Sequence, residues 1–301
     1  MTIEAKTATT GEWERTHQPI VVAVDGSDRN RSAVTWAAQE AAAHGCGIVL
    51  VTALQDHVVS RPHFSTHSLD QEVLDMLADI RGDVARLVDE KAVETRAVGG
   101  APVEVLLDQA GDARVVVVGK RGLGGFARLL VGSTSSALAG RSPVPVAIIP
   151  EGWEPAEHEG LPIVLGVDPF KADRNPVEFA FRRARRTKAP LVAVHGWETP
   201  SVFSWDADAV AGNETEEHLE ADRRFDELLA DWTQRFPDVV VRPMRLHKHP
   251  ANAVLEAAEE AQLVVLGRHE AGIFGGFAFG SVARAVLHYS ATPVIVVPAE
   301  A

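Results

Sequence analysis

A glycine-rich segment, GKRGLGGFARLLVGS at Gly119–Ser133, has the residue types that bind phosphate groups. It follows the apolar run VVVV, and its spacing is G-x-x-G, nine residues, then G-S. Glycine lets the backbone take up positive φ and lets a ligand approach the main chain, where successive N–H groups can form a nest for an anion. Lys120 and Arg121 add positive charge, and Ser133 and Thr134 add hydroxyl donors where a helix is expected to begin. Because the spacing is neither that of a P-loop nor that of a dinucleotide-binding loop, a flexible surface loop remains the alternative to a phosphate site.

The chain contains this segment twice. GRHEAGIFGGFAFGS at Gly267–Ser281 lies 148 positions after the first copy, and near the start of each half an offset of 143 pairs Asp25 with Asp168. The repeat predicts two homologous domains joined by a polar segment that contains proline. The predicted boundaries are 1–18 for a disordered lead-in, 19–150 for the first domain, 151–160 for the linker and 161–298 for the second domain.

Each half alternates short apolar runs with longer runs of helical spacing. IVVAV at Ile20–Val24 and IVLVT at Ile48–Thr52 are typical of strands that are buried on both faces. Arg31–His44 is alanine-rich and ends at Gly45, and Leu69–Glu90 has the pattern of a long amphipathic helix. Strands that alternate with helices indicate parallel strands joined by right-handed crossovers. We therefore predict an α/β fold of two tandem doubly wound domains, each a five-stranded parallel sheet flanked by helices, with Rossmann-like topology.

Gly119 directly follows the fourth predicted strand of the first half. In open parallel sheets, ligands bind beyond the carboxyl ends of the strands, at the point where the strand order reverses. The glycine-rich segment therefore lies where such a fold would place its ligand.

The composition limits the partners and the compartment. A net charge of −13 disfavours binding to nucleic acid and to anionic membranes, and we interpret RRARR at Arg182–Arg186 as the solvated face of a helix. No apolar run is close to the length of about 20 residues that a membrane-spanning helix needs. The single cysteine, Cys46, cannot form an internal disulfide, and the first residues lack the apolar core of a signal peptide. We therefore expect a cytoplasmic protein without nucleic-acid or membrane partners.

Three motifs in order, present in both halves, resemble the universal stress protein family. In the first half they are VAVDGSDRNRSAVTWA, RVVVVGKRGLGGFARLLVGSTS and SPVPVAIIP. In that family, G-2x-G-9x-G-[ST] marks the members that bind ATP, and the tandem arrangement is similar to that of actinobacterial members. The resemblance implies ATP as the ligand, leaves Mg²⁺ open, and implies a nucleotide-dependent regulator of a stress response that acts through an unidentified protein partner.

The resemblance also implies roles for individual residues of the first half. Asp25 matches the acidic residue that accepts a hydrogen bond from the adenine, and Ala53 matches a backbone contact to the adenine. Gly119 and Gly122 match glycines that lie against the ribose and phosphates, and Gly132 with the two hydroxyl residues after it matches the binders of the terminal phosphates. The predicted ATP-binding residues of the first domain are Asp25, Ala53, Gly119, Lys120, Arg121, Gly122, Gly124, Gly125, Gly132, Ser133 and Thr134.

The second half departs from the pattern. Glu270 replaces Gly122 and brings a negative charge to the place where phosphates would lie, while Pro169 and Phe170 make the first loop stiffer and bulkier. Two like charges about 4 Å apart repel by about 1 kcal/mol even in water. Either this pocket has lost its ligand and kept a packing role, or it has been adapted to a less charged ligand. The corresponding residues of the second domain, doubtful as ATP contacts, are Asp168, Gly196, Gly267, Gly280 and Ser281.

Other kinds of function have less support in the sequence. No nucleophile and base stand at a recognisable spacing, so we predict no catalytic residues and at most slow ATP hydrolysis. His57, His63 and His67 share one predicted loop without a matching cysteine or carboxylate set, so we predict no metal site. The alternatives that remain open are a slow ATPase or phosphotransferase, and an interaction module that binds no nucleotide or binds AMP or cyclic AMP.

The last strand of each half bears on assembly. In the resembled family this strand lies at a sheet edge and pairs with its counterpart in another domain, and exposed edges tend to be covered in this way. We therefore expect the two halves to pack as a pseudo-dimer and two chains to associate as a homo-dimer.

Overall fold

A computed structural model describes residues 18–54, 66–122, 130–198, 207–268 and 280–299. The elements of the first half are β1 (Ile20–Ala23), α1 (Arg31–His44), β2 (Ile48–Leu54), α2 (Thr66–Val84), β3 (Val93–Gly99), α3 (Pro102–Ala110), β4 (Val115–Gly119), α4 (Ser133–Arg141) and β5 (Val146–Ile149). Those of the second half are β6 (Ile163–Gly166), α5 (Arg174–Thr187), β7 (Leu191–Gly196), α6 (Ala207–Arg235), β8 (Val241–Leu246), α7 (Pro250–Ala258), β9 (Leu263–Arg268), α8 (Ser281–Tyr289) and β10 (Val294–Pro298).

Two helix ends show how local chemistry sets the boundaries. α1 ends as predicted, because Gly45 takes the left-handed conformation (φ 61°) and its N–H bonds to carbonyls of the last turn. The prediction of a helix up to Glu90 is wrong, since α2 ends at Val84. Beyond that residue the chain turns so that both Val84 and Val88 are buried, and Asp89 accepts a hydrogen bond from a backbone N–H of a short 3-10 turn.

The ten strands form one sheet in the order β3-β2-β1-β4-β5-β10-β9-β6-β7-β8. Within each half all neighbouring strands are parallel, whereas β5 and β10 pair antiparallel. This arrangement confirms the predicted α/β fold of two tandem five-stranded parallel sheets. It also confirms the expected pseudo-dimer, because the two halves join through their last strands.

A pseudo-twofold axis passes through this antiparallel pair. Ala147 of β5 stands opposite Ile295 of β10, and these two residues are equivalent by the 148-residue offset of the repeat. Their neighbours pair in the same reciprocal way, with Val146 opposite Val296 and Ile148 opposite Val294. The junction therefore has the isologous form that a symmetric dimer of single domains would have.

Two reciprocal hydrogen bonds extend this junction. Lys120 Nζ donates to the carbonyl of Ser290 at 2.7 Å, and Arg268 Nη1 donates to the carbonyl of Ser142 at 2.6 Å. Lys120 thus contacts the C-cap residue of α8, and Arg268 contacts the C-cap residue of α4, each in the opposite half. The helix dipole favours positive charge at this end of a helix. These four residues form two equivalent pairs, so the contact is a shared feature of both halves.

The helices cover both faces of the sheet. Buried side chains of α1, α2, α5 and α6 pack on one face, and those of α3, α4, α7 and α8 pack on the other. Neighbouring strand residues alternate between the faces, so that Ile20 and Val22 belong to the first layer and Val21 to the second. Each such side chain contributes about 1.5–3 kcal/mol when it is removed from water.

Part of the Arg182–Arg186 segment of α5 is less exposed than the solvated helix face that we predicted. Arg183 and Arg186 contact the carboxylate of Glu40 in α1, and their side chains are only 10% and 29% exposed. The interpretation is wrong for these two arginines, because α1 and α5 meet across the junction of the two halves.

Among the helices in the described ranges, none has the length and hydropathy that a membrane span requires.

Candidate functional site

The predicted site residues of the first half gather at one edge of the sheet. β1 is hydrogen-bonded to β2 on one side and to β4 on the other, so the strand order reverses between β1 and β4. Asp25 follows β1, and Gly119 is the last residue of β4. Ala53, which is partly buried, is the residue before the last one of β2. The carboxyl ends of parallel strands at such a switch point form a crevice for a ligand.

Asp25 and Gly122 lie against each other. The Asp25 carboxylate is fixed by its own turn, because Oδ1 accepts hydrogen bonds from the Ser27 N–H at 3.0 Å and from the Ser27 hydroxyl at 2.8 Å. A Cβ built on Gly122 would lie 2.5 Å from Asp25 Oδ2, which is closer than real Cβ contacts come. Gly122 therefore brings bare backbone to this carboxylate, and any side chain at this position would have to displace it.

Gly119 occupies a similarly narrow place. A Cβ there would lie 3.0 Å from the Arg121 carbonyl and 3.4 Å from Asn30 Nδ2. The Gly119 carbonyl accepts a hydrogen bond from the buried Ser135 hydroxyl at 2.8 Å, which ties the end of β4 to the first turn of α4. Asn30 is itself buried, and its Oδ1 has no hydrogen-bond partner among the described residues. Sequence reasoning missed Asn30, whose one local signal is that a polar residue directly precedes α1.

The amino end of α4 completes the edge. Gly132 is the N-cap of this nine-residue helix, with extended φ −67° and ψ 152°, and no side chain caps it. The Gly132 N–H donates to the Lys120 carbonyl at 2.8 Å, which holds the helix end next to β4. Ser133 is exposed and Thr134 is partly exposed. An uncapped helix start offers backbone N–H donors and the positive end of the dipole, which together favour an anion.

Lys120 is placed differently from the other predicted residues. Its ammonium group bonds to Ser290 in the second half, and burial, with the charge of Arg121 adding to it, lowers the pKa of Lys120 to about 8. The structure therefore uses Lys120 at the junction of the two halves. Arg121 stays partly exposed beside Gly119, while Gly124 and Gly125 lie outside the described residues.

The equivalent edge of the second half carries its carboxylate in a turn. Asp168 is partly buried after β6, and its Oδ1 accepts a hydrogen bond from the Phe170 N–H at 3.1 Å. The Phe170 ring is 43% exposed, and the Arg224 guanidinium lies 4.9 Å from its centre. The acidic residue thus keeps its place relative to the strand, whereas the small loop residues of the first half are replaced by a large ring.

Gly196 has a packing role at this edge. A Cβ on Gly196 would lie 2.7 Å from Ala253 Cβ, 2.9 Å from Pro250 Cα and 3.0 Å from the Lys248 carbonyl. The absence of a side chain therefore lets α7 approach the end of β7. At the equivalent position the first half has Ala53.

The remaining predicted residues of the second half keep their backbone positions. Gly267 pairs with Val297 in the ladder of β9 and β10, and Gly280 is an N-cap of α8 without a capping side chain. Ser281 is exposed, and the buried Ala283 stands where Ser135 bonds to β4 in the first half. Glu270 lies outside the described residues.

A group of rings next to Asp168 was not foreseen from the sequence. The buried His195 lies with Nδ1 3.3 Å from the Val167 carbonyl, and burial lowers the pKa of its imidazole. The ring of Trp197 has its centre 5.8 Å from that of His195, 5.4 Å from that of His218 and 5.8 Å from that of His247. In the first half the residues equivalent to His195 and Trp197 are a threonine and a leucine, so this group of rings is peculiar to the second half.

Within the described ranges, no three His, Cys, Asp or Glu side chains come close enough together to hold a metal ion. The predicted loop histidines His57 and His63 lie outside those ranges, and only the backbone of His67 is described.

Comparisons with known proteins give matches to both halves. A family model described as the Universal stress protein family matches residues 16–150 and 161–298. A universal stress protein of Mycolicibacterium smegmatis is 35% identical over 301 residues, covering 94% of this chain and 97% of the relative. One from Mycobacterium tuberculosis is 32% identical over 296 residues, with the same two coverages. The crystal structure of a universal stress protein from Archaeoglobus fulgidus has a TM-score of 0.64 at 20% identity and covers 94% of this chain and 97% of its own, a likeness that concerns the fold.

Proposed function

Since the chain belongs to the universal stress protein family, with one family domain in each half, we propose that it is a nucleotide-dependent regulator of a stress response that binds ATP in its first domain. The observation that carries this proposal is the close approach of the Gly122 backbone to the Asp25 carboxylate. These residues are far apart in sequence, and the sheet brings them to one edge, where a flat ligand can lie against the main chain.

The adenine end of the proposed site is formed by Asp25 and Ala53. A carboxylate accepts hydrogen bonds, so Asp25 selects a ligand edge with a donor, such as the amino group of adenine. The Ser27 hydrogen bonds hold the carboxylate in place before the ligand arrives, which reduces the entropy lost on binding. The backbone of Ala53, at the end of β2, supplies further polar groups on the same edge.

The phosphate end is formed by backbone and hydroxyl groups. Gly119 and Gly122 admit the ligand close to the main chain, and the uncapped start of α4 supplies N–H donors beyond Gly132. Ser133 and Thr134 add hydroxyl donors there. Among the predicted cations, Arg121 is the one that we assign to the phosphates, because Lys120 is bonded to Ser290 in the second half.

The second domain is the weaker nucleotide site in this proposal. Asp168 is retained, but the large Phe170 stands in its loop, and Gly196 serves the packing of α7. The ring group around Trp197 fills part of the surface near the end of β7. Both features favour loss or weakening of nucleotide binding, and an adaptation to a less charged ligand stays the alternative.

Several finer points are part of the same proposal. We place the domains at 19–150 and 161–298 and the protein in the cytoplasm, where a lone buried thiol such as Cys46 remains reduced. Because β5 and β10 cover each other's edges, an association of two chains would have to use other surfaces, such as the edges at β3 and β8.

Mass spectrometry of the small molecules released when the purified chain is denatured tests the proposal. We expect ATP as the main ligand, at a ratio that falls in an Asp25→Ala variant. Recovery of AMP or cyclic AMP alone would overturn the assignment of ATP. The absence of any bound or titratable nucleotide would overturn the nucleotide-dependent function as a whole.

A further inference from the structure

A cavity of about 450 Å³ lies between α1 and α5, on the junction of the two halves and away from the carboxyl-end edge. Trp36 of α1 and Phe179 of α5 form two of its walls, and Ile20, Val115 and Ile295 lie at its strand side. Its volume is within the range of about 300–1,000 Å³ that is usual for small-molecule sites. Both halves contribute to it, so it exists only in the tandem chain.

The polar lining of this cavity is strongly basic. Among the described residues that line it, Glu40 is the one carboxylate and His44 the one imidazole. The basic side chains that line it are Arg114, Arg182, Arg183, Arg185 and Arg186. Such a concentration of positive charge is unusual in a protein whose net charge is −13.

The single carboxylate is already used by two of the arginines. Glu40 Oε2 contacts Arg183 Nη1 and lies 2.9 Å from Arg186 Nη2. Burial by itself would raise the pKa of Glu40, but the charges of these two arginines outweigh it and lower the pKa to about 2. His44 adds no positive charge at neutral pH, since burial and the charge of Arg186 lower its pKa to about 3.

The other arginines leave an excess of positive charge. Arg182 is paired with Glu178 at 2.7 Å, and Arg185 lies over the ring of Phe236 at 4.9 Å from its centre, a contact that does not neutralise it. The guanidinium of Arg114 is half-buried; the charge of Glu40 attracts it, but it makes neither a hydrogen bond nor an ion pair with any described residue. A guanidinium held partly out of water without an anion in direct contact is costly unless a ligand supplies one.

Arg183 adds a second unmet requirement. Its side chain is nine-tenths buried and lies over the Trp36 ring, yet its Nε is buried without a hydrogen-bond partner in the described part of the chain. Buried polar atoms in native proteins normally have partners. An oxyanion in the cavity would supply an acceptor to this region.

The repeat shows that joining the halves does not require so many arginines. By the 143-residue offset, Glu40 is equivalent to Arg183, so their ion pair links equivalent positions across the pseudo-twofold axis. One arginine is enough to balance Glu40 there. The positions equivalent to Arg185 and Arg186 in α1 are both alanine, so the positive charge that these two arginines add comes from α5 and has no counterpart in α1.

We propose that this cavity is a second ligand site, which binds a small molecule with two or more adjacent phosphate groups between α1 and α5. Planar guanidinium groups bind phosphate oxygens in pairs, and several of them around one cavity match a ligand with several charges. Arg114 and Arg185 are the primary anion contacts, because neither forms an ion pair with a carboxylate in the part of the chain that the structure describes. The ring walls leave room for an organic part of the ligand.

Calorimetric titration of the full chain with inorganic tripolyphosphate at low ionic strength tests this site. We expect one binding event that is weakened about tenfold in an Arg114→Gln/Arg185→Gln double variant. Arg86→Gln is the control for loss of positive charge, because Arg86 is a surface residue whose side chain is 78% exposed. A Gly122→Glu variant, in which the nucleotide edge is damaged, should retain this binding event.

Equal affinity in the wild type and the double variant, or no binding to the wild type, would overturn the proposal. The proposal would also be overturned if the Gly122→Glu variant lost binding while the double variant kept it, since the anion would then bind at the nucleotide edge. Arg114→Lys keeps the charge but loses the paired donors, and an intermediate loss of affinity is expected. Thermal melting of each variant without ligand shows whether a loss of binding is a loss of fold.

Discussion

The carboxyl-end edges of the two halves have the same strand order but different surroundings. In the first half, bare glycine backbone at Gly122 faces the carboxylate of Asp25. In the second half, the carboxylate of Asp168 is kept, but a large exposed ring follows it, and Gly196 is used to bring α7 close to β7. A glycine thus leaves the main chain bare beside a carboxylate at one edge and lets a helix approach at the other, so a glycine at this edge is not by itself evidence for a ligand site.

The largest effect on nucleotide affinity is expected for Gly122→Glu, which copies the residue at position 270 into the first half. Its Cβ would meet Asp25 Oδ2, and its charge would repel both that carboxylate and the phosphates. We expect ATP affinity to fall by about tenfold at least, measured by calorimetry. Gly82→Glu is the matched control, because a Cβ on this exposed helix glycine meets nothing within 4 Å. Unchanged affinity in Gly122→Glu would remove the glycine backbone from the proposed site.

The next effect in size concerns the two acidic residues. Asp25→Ala removes the acceptor for the adenine and the partner of Ser27, and hydrogen bonds to a charged group contribute about 1.5–3 kcal/mol, or about tenfold or more in affinity. Asp168→Ala should leave ATP affinity nearly as it is, although it loses the bond to the Phe170 N–H. Equal losses in the two variants would mean that both edges bind the nucleotide.

The smallest effect on nucleotide affinity is expected for Gly196→Ala. The added methyl group would meet Ala253, Pro250 and Lys248, and overpacking of this kind destabilises by about 1–3 kcal/mol. Urea unfolding should show this loss while calorimetry shows unchanged ATP binding. Gly99→Ala is the control, since nothing lies within 4 Å of its Cβ position. A weakening of ATP binding as large as that in Asp25→Ala would place the nucleotide in the second half.

The fold could be predicted from the sequence because most of the strands are short apolar runs separated by segments of helical spacing. Gly45 marked the end of α1, whereas nothing local marked the end of α2. Both Val84 and Val88 are buried where the chain turns after α2. Such burial depends on the neighbouring helix and strands, which the local pattern does not contain.

Prediction of the site from the sequence was limited in the same way, because contacts with the other half are not visible in the local pattern. The glycine spacing located the edge, but the direction of Lys120 depends on the carbonyl of Ser290 in the other half. The burial of Arg183 likewise depends on Glu40, which lies 143 positions earlier. A helical pattern shows which residues share a face, and it does not show that two such faces meet across a pseudo-twofold axis.

The stoichiometry of ATP binding tests the central claim most directly. Titration of the full chain with ATP by isothermal calorimetry should give one tight site per chain, which Asp25→Ala weakens strongly and Asp168→Ala leaves nearly unchanged. Two equivalent tight sites per chain would contradict the account, because the second edge would then bind ATP as well as the first despite Phe170 and Glu270.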